Sequence, residues 1–484
     1  MHKPVHSKII PIQPAPEATD IDEVFLVNND QAKIYPRSVL GRFTRLRWIM
    51  VWVTQLVFYG LPWLQWNQRQ AVLFDLTENR FLIFGLVLHP QDLIYLAVLM
   101  VLAALALFFF TAVAGRLWCG YACPQTVYTE IFMWLERIAE GDRLARMRLD
   151  ASRWNTEKIA RKSAKQVLWM GVSLFTGFTF VGYFTPIQTL VGELLALSFS
   201  PWEWFWVLFY GLATYGNAGY LREQICKQMC PYARIQSALT DMDSMVIAYD
   251  SQRGESRGAR SRKSDPKTLG LGDCIDCTLC VQVCPTGIDI RNGLQNECIA
   301  CAACIDACDE VMLKMNYPKG LIRYSSGAGI AEQLTAKQMI RRVWRPRVGF
   351  YSVLLLVAVS VFVGGLSTRK GFAADVIKDR GTMARELGNG DIENIYRLNI
   401  MNATEHTQTY TVSVEGIPSL MLVTNPVLDV PATGIGSLTI RLNLAAEVAE
   451  KYRGKASKIE FKIHTTRHGK VEEIEEKSTF VIPS

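Results

Sequence analysis

Twelve cysteines lie between Cys119 and Cys308, and none follows. Eight of them form two runs, Cys274-x2-Cys277-x2-Cys280-x3-Cys284-Pro285 and Cys298-x2-Cys301-x2-Cys304-x3-Cys308. This is the bacterial ferredoxin spacing, in which three closely spaced thiolates wrap one iron–sulfur cubane and the fourth Cys crosses to the other. One [4Fe–4S] cluster is therefore expected on Cys274, Cys277, Cys280 and Cys308, and a second on Cys298, Cys301, Cys304 and Cys284. Zinc sites use two CxxC pairs rather than eight Cys in this phase. Asp309 stands where the first run has Pro285. With Glu310 it is expected to put negative charge near the second cluster and disfavour its reduced form.

The other four cysteines form an internal repeat. WCGYACPQT gives Cys119-x3-Cys123-Pro124, and ICKQMCPYA gives Cys226-x3-Cys230-Pro231. Proline favours the first position of a helix, and an amphipathic pattern follows each one (TVYTEIFMWLERI; ARIQSALTDM). Cys123 and Cys230 then sit at helix N-caps, where the helix dipole favours thiolate. If the preceding helix runs on instead, the two thiols share a face at i and i+4. Either geometry makes soft donors converge, and soft thiolates select Cu(I). Arg116, Arg222, Lys227 and Arg234 flank the pairs and favour anionic sulfur. A single pair is ordinary for buried Cys; two copies with the same proline point to a redox or metal role. Met229 is expected to pack in a core rather than act as a thioether ligand. Disulfide exchange fits less well, because CxxxC is less typical of it than CxxC. No catalytic triad or phosphate loop is present.

The elements that must carry these residues are apolar. The 484 residues are 50% hydrophobic and 11% aromatic, too apolar for disorder or an ordinary soluble protein. Five stretches reach the ~20 residues that span a bilayer: 46–66, 93–114, 167–191, 202–220 and 348–366. The short run FLIFGLVLHP, 81–90, is expected to be interfacial or re-entrant, with His89 as a packed or interfacial residue. Positive charge concentrates at Arg42, Arg45 and Arg47, between Arg137 and Lys165, between Arg253 and Lys263, and from Arg341 to Arg347. By the positive-inside bias these segments are cytoplasmic, which leaves the C-terminal tail outside. Both CxxxCP pairs follow even-numbered spans and so share the cytoplasmic side with the ferredoxin runs, where disulfides are excluded. The polar first 40 residues show no cleavable signal peptide. A net charge of +7 on this length is no argument for nucleic acid.

The expected organisation is a multi-domain integral membrane protein. It comprises a cytoplasmic arm (1–45), a membrane domain of four helices with both CxxxCP pairs (46–250) and a solvated basic Gly/Ser-rich linker (251–267). A 2[4Fe–4S] ferredoxin-like module (268–325), a basic juxtamembrane segment (326–347) and a fifth span (348–366) follow. Alternating runs in 368–484, such as TYTVSVEG and KIEFKIHT, predict an antiparallel β-sandwich of about seven strands, serving as a docking or packing module.

The order of these parts resembles the cytochrome c oxidase accessory protein family CcoG, also called FixG or RdxA, over almost the whole chain. The membrane part also resembles NapH-type ferredoxin proteins, which lack the long sandwich. The resemblance implies an immunoglobulin-like periplasmic domain, the inner membrane as location, and a role in assembling the cbb3-type haem–copper oxidase. It implies reduction of Cu(II) to Cu(I), with copper as substrate handled by Cys119, Cys123, Cys226 and Cys230. It further implies a copper-exporting ATPase and oxidase assembly factors as partners. The electron donor is open, and a homodimer is allowed. Two rival functions remain at this stage: a quinol-linked electron conduit without copper, and a non-redox assembly scaffold.

Overall fold

The structure is a computed structural model and describes residues 33–262, 269–379, 384–467 and 470–483. Most of the expected N-terminal arm and the end of the basic linker lie outside these residues.

Helices stand in all five apolar stretches. They are α1 (Arg42–Gly60), α2 (Leu93–Ala114), α5 (Thr156–Val181), α6 (Pro201–Thr214) and α9 (Pro346–Ser367), with α3 (Leu117–Tyr121), α4 (Pro124–Glu140), α7 (Pro231–Leu239) and α8 (Ala303–Met315) between them. Among the described residues two are long and apolar enough to cross a membrane: α2 with its initial turn from Pro90, and α9. These two pack along each other, and Tyr95 donates to the Gly365 carbonyl at 3.1 Å. The other three are interrupted by charge or length. α1 opens with Arg42, Arg45 and Arg47, the first half of α5 is basic, and α6 widens into a π turn at Tyr215–Leu221. α5 and α6 cross where both lack a side chain. A Cβ on Gly177 would lie 2.2 Å from the Val207 carbonyl oxygen and 3.0 Å from the Gly211 nitrogen.

The stretch 81–90, expected to be interfacial or re-entrant, lies in a small sheet. Val72–Asp75, Arg80–Ile83 and Leu86–Leu88 form a three-stranded antiparallel sheet around buried Leu73, Leu82 and Val87. Its first turn closes because the Asp75 carboxylate accepts from the Thr77 and Glu78 amides, with Asn79 in the left-handed region at φ 52°. His89 follows the sheet and is buried, as a packed histidine should be. The expected span 167–191 is also cut. α5 ends at Val181, and a separate helix, Ile187–Ala196, follows a turn.

Among the described residues the C-terminal region is a sandwich of nine strands rather than about seven. One sheet orders Leu420–Leu422, Ile435–Leu444, Ile392–Asn402 and Phe372–Lys378, with Arg385–Glu386 added beside the third. The other orders Val427–Val430, Gln408–Glu415, Ala456–Arg467 and Lys470–Val481. Alternate residues of the long strands point inward, and Tyr396, Leu398, Tyr410, Phe461 and Phe480 are fully buried between the sheets. The sandwich rests on this segment: Arg69, in a two-stranded pair just before the small sheet, pairs with Glu405 at 2.8 Å, and Arg80 donates to Thr433 at 3.3 Å.

Phe461→Ala should lower the stability of the sandwich by about 3–5 kcal/mol through the cavity it leaves. Urea titration of the purified chain should show the β-rich transition moving to lower denaturant while the loss of cluster absorbance stays in place.

Candidate iron–sulfur and thiol site

The eight-Cys region folds around a two-stranded antiparallel sheet, Val246–Tyr249 with Ile322–Ser325, covered by α8 and a short helix at Leu279–Gln282. The two Cys loops share a backbone trick. Asp276 and Thr278 in the first, and Ala300 and Ala302 at the matching places in the second, all take left-handed φ values of 52–61°. Such residues cost roughly 1–2 kcal/mol each and persist where the surroundings dictate the turn. Cys274, Cys277, Cys280 and Cys308 line one cavity. Cys284, Cys298, Cys301 and Cys304 line another, with Cys280 at its edge. Cys308 thus lines the cavity of the first run, and Cys284 that of the second.

All twelve cysteines are free thiols. Burial pushes Cys280 up to about 11, and Cys298 and Cys308 up to about 12. A bare site thus holds protons that a cationic cluster must displace. Among the described residues no three Cys, His, Asp or Glu side chains gather around one metal ion. The sulfurs ring cavities instead, which suits a cubane and not a tetrahedral zinc ion.

Two sequence expectations change at this point. Asp309 acts on Cys308 and so neighbours the first set of thiols, not the second. Its carboxylate accepts from the Gly320 amide at 2.9 Å, and Glu310 pairs with Lys314 at the surface. The linker is not simply solvated either. Arg253 pairs with Asp273 at 2.6 Å, while Arg260 lies over the Tyr317 ring and donates to the carbonyls of Gly272 at 2.6 Å and Cys274 at 3.3 Å. These arginines clamp the entry to the first Cys loop.

The CxxxCP pairs take the N-cap geometry. Cys123 caps α4 with Pro124 at its first position, and Cys230 caps α7 with Pro231 likewise. The preceding helices do not run through the pairs: α3 ends at Tyr121, and a π turn, Ile225–Met229, precedes Cys230. The pairs are neighbours, since the Cys226 thiol feels Cys123, Cys119 and Cys230. Burial outweighs the flanking charge and pushes Cys119 up to about 11 and Cys226 up to about 12. Arg116 opposes that rise at both thiols, but Arg222 is turned away toward Glu136. Cys119 donates to the Gln236 side-chain oxygen at 3.4 Å. Met229 is exposed, so it packs in no core.

The two sulfur groups touch. Cys119 and Cys226 pack against the buried cluster that contains Ile299 and Cys301. At the contact a Cβ on Gly120 would lie 2.7 Å from the Ile299 carbonyl oxygen and 2.8 Å from that of Ala300. Arg116 donates to the carbonyls of Asn296 and Ala233, and Tyr324 to the Ala300 carbonyl at 2.8 Å. On the far side Asp306 of α8 accepts from the Thr44 amide at 2.7 Å and its hydroxyl at 2.8 Å, capping the first turn of α1.

Sequence reasoning missed the ion network that anchors α4. Glu136 is buried against Arg146 at 2.8 Å and Arg222 at 3.1 Å, and Glu140 against Lys165 at 2.9 Å and Lys162 at 3.1 Å. The basic segment is thus partly an interior component rather than a solvated charge run. The sequence signal was there: Glu136 and Glu140 stand at i and i+4 on one face of an amphipathic helix.

A family model described as a 4Fe-4S dicluster domain matches residues 221–327, and one described as a 4Fe-4S binding domain matches 96–140. A third, the IG-like fold at the C-terminus of FixG, matches 362–483. The chain is 38% identical over 425 residues to protein RdxA of Cereibacter sphaeroides, covering 85% of this chain and 89% of that one. It is 37% identical over 418 residues to the nitrogen fixation protein FixG of Rhizobium meliloti, covering 80% of each. A crystal structure of a FixG-related protein from Vibrio parahaemolyticus aligns at 20% identity, covering 23% of this chain and 97% of that one, with a TM-score of 0.20. The fold and the Cys-lined cavities define an iron–sulfur protein of the electron-transfer, oxidoreductase type. The chain belongs to the FixG/RdxA family.

Glu136→Gln should cost roughly 3–5 kcal/mol, because it leaves Arg146 and Arg222 buried with half their compensation gone. Burial alone would raise the Glu136 pKa; Arg222, Arg146 and Lys165 outweigh it and hold the group below its usual 4.5. A depressed carboxylate contributes stability above its unfolded-state pKa and loses it as pH falls through the folded-state value. Thermal unfolding of the wild type should therefore lose this contribution only on acidification below about pH 4.5. The Gln variant should be weaker at neutral pH and show a smaller acid-dependent loss.

Proposed function

We propose that the protein is a membrane-bound cupric reductase serving assembly of a cbb3-type oxidase. The observation that carries this is the contact between the CxxxCP thiols and the second Cys loop. In this proposal α1, α2, α5, α6 and α9 span the inner membrane, the iron–sulfur module lies in the cytoplasm and the sandwich lies outside. Large exposed apolar side chains on the outer faces of these helices, such as Leu56, Met100, Trp202, Phe209 and Leu356, support that placement, since such patches do not face water.

Cys274, Cys277, Cys280 and Cys308 would hold one [4Fe–4S] cluster, and Cys284, Cys298, Cys301 and Cys304 the other. These clusters supply one-electron storage and transfer when bound. The chain's own part is to keep water out of both cavities with Ile247, Ile290 and Met312, and to hold the second set of thiols against Cys119 and Cys226. Cys119, Cys123, Cys226 and Cys230 bind the substrate ion and release their protons as they do so. Thiolates stabilise Cu(I) over Cu(II), which raises the copper potential and favours the one-electron reduction. Each Cu(II) takes up one electron and leaves as Cu(I), with no proton transfer demanded of a general acid or base. By kinship with the family, the Cu(I) passes to a copper-exporting ATPase and oxidase assembly factors.

Anaerobically purified protein with reduced clusters, given stoichiometric Cu(II), should bleach and release Cu(I) to a chelator. Cys119→Ser with Cys226→Ser should keep cluster absorbance and lose Cu(I) formation. Electron transfer to an artificial acceptor that survives while copper is untouched even in the wild type would favour a quinol-linked conduit. No electron transfer at all would favour a scaffold. Thiol labelling from outside that reached Cys123 or Cys230 would break the shared compartment the route needs.

A further inference from the structure

A cavity of about 490 Å³ opens where the chain entering α1, the polar face of α4 and the iron–sulfur module meet. That volume falls in the range of small-ligand sites. Five guanidiniums line it: Arg37, Arg45, Arg47, Arg137 and Arg146. Among the described residues Glu130 is the only carboxylate on its wall, and it is used by Arg47 at 3.3 Å. Arg146 is used by Glu136. Arg137 faces Asp142, but that carboxylate already accepts from the Ser38 amide and hydroxyl at 3.1 and 3.0 Å. Arg37, Arg45 and Arg137 form no side-chain hydrogen bond or ion pair among the described residues. Arg47 is 7% exposed, and its Nε, buried, donates to nothing. The Arg146 Nε is likewise buried and without a partner, so the cavity holds an excess of positive charge with two buried donors unsatisfied.

Apart from Ser38 and Thr44 its remaining wall is apolar, and it leads outward along α1 through Trp48 and the exposed Ile49. An anionic head with an apolar tail matches both parts. A neutral head group such as a quinol would leave three guanidiniums uncompensated. We propose that this cavity binds the phosphate head of an anionic phospholipid of the cytoplasmic leaflet, with its chain laid along Trp48 and Ile49. This rests on the membrane placement proposed above but not on copper chemistry. Pro285 and Ala303, which flank Cys284 and Cys304, close the inner wall. The bound lipid therefore bridges α1 to the iron–sulfur module.

The test is native mass spectrometry of the full chain released from nanodiscs of phosphatidylglycerol or phosphatidylcholine. The wild type should retain phosphatidylglycerol and not phosphatidylcholine. The R37Q/R45Q/R137Q variant should retain it roughly tenfold less or weaker, given the loss of three contacts to an anionic head. R153Q/K337Q/R341Q, which removes equal charge elsewhere, should retain it as the wild type does. Equal retention of both lipids, or equal retention by the two triple variants, would overturn the proposal. So would displacement by inorganic phosphate at matched concentration, which would assign the cavity to a soluble anion. Cluster absorbance and Cu(I) release from the same samples keep this outcome separate from the copper reading. A chain that does not sediment with membranes would sink the membrane placement before any lipid is added.

Discussion

The arrangement depends on one close approach, the backbone of Gly120 lying against the carbonyls of Ile299 and Ala300. Any side chain at position 120 would push the CxxxCP turn off the second Cys loop. The contact is fixed from both sides. α3 and the Cys123 cap hold the membrane-proximal turn, while the left-handed residues Ala300 and Ala302 turn the module's loop to meet it. Electron transfer weakens steeply with separation, so a packed backbone contact between two sulfur sets matters more than the identity of the surrounding apolar residues. The same contact excludes water, which makes ionised sulfur costly unless a metal compensates it.

That approach needs a stiff mount, and the mount is electrostatic. α4 carries Cys123 at its first end and the buried Glu136 and Glu140 along its length. Arg146, Lys162, Lys165 and Arg222 reach them from three different segments. A buried ion network is weak evidence for stability, because the desolvation cost offsets much of the attraction. Its value here is register. Glu136 holds Arg146 and Arg222, Glu140 holds Lys162, and Lys165 reaches both, so α4 cannot slide or rotate without stranding a charge. Asp306 plays the matching part for the module by fixing the start of α1.

The chemistry was far more legible in the sequence than its setting. Eight Cys in ferredoxin phase specify a cavity grouping because chelating loops are local and short, and Pro124 and Pro231 announce their helix starts because proline tolerates only the first turn. The hairpin at 72–88 was hidden because its apolar run, FLIFGLVL, is as compatible with a buried helix as with a strand; the telling residues were Asp75 and Asn79 in its turn. The buried role of the basic loop was hidden because charge counts record number and not partner. Asp309 was misassigned because it was judged by its run, whereas the chain crossover sends Cys308 to the other set.

The same crossover bears on the direction of electron flow. Of the two Cys-lined cavities, the one with Cys284, Cys298, Cys301 and Cys304 touches the CxxxCP turns, and the one with Cys274 and Cys277 faces away. Cys277 is exposed, and the Arg253 and Arg260 clamps surround that outer loop. A soluble donor would meet the outer set first, with Cys280 on the wall of both cavities as the shared element between them. Asp309 stands beside the outer set, with its carboxylate held by the Gly320 amide at 2.9 Å. On the proposed function, the outer set, the shared Cys280 and the inner set lie in the order that a route toward the CxxxCP thiols would follow.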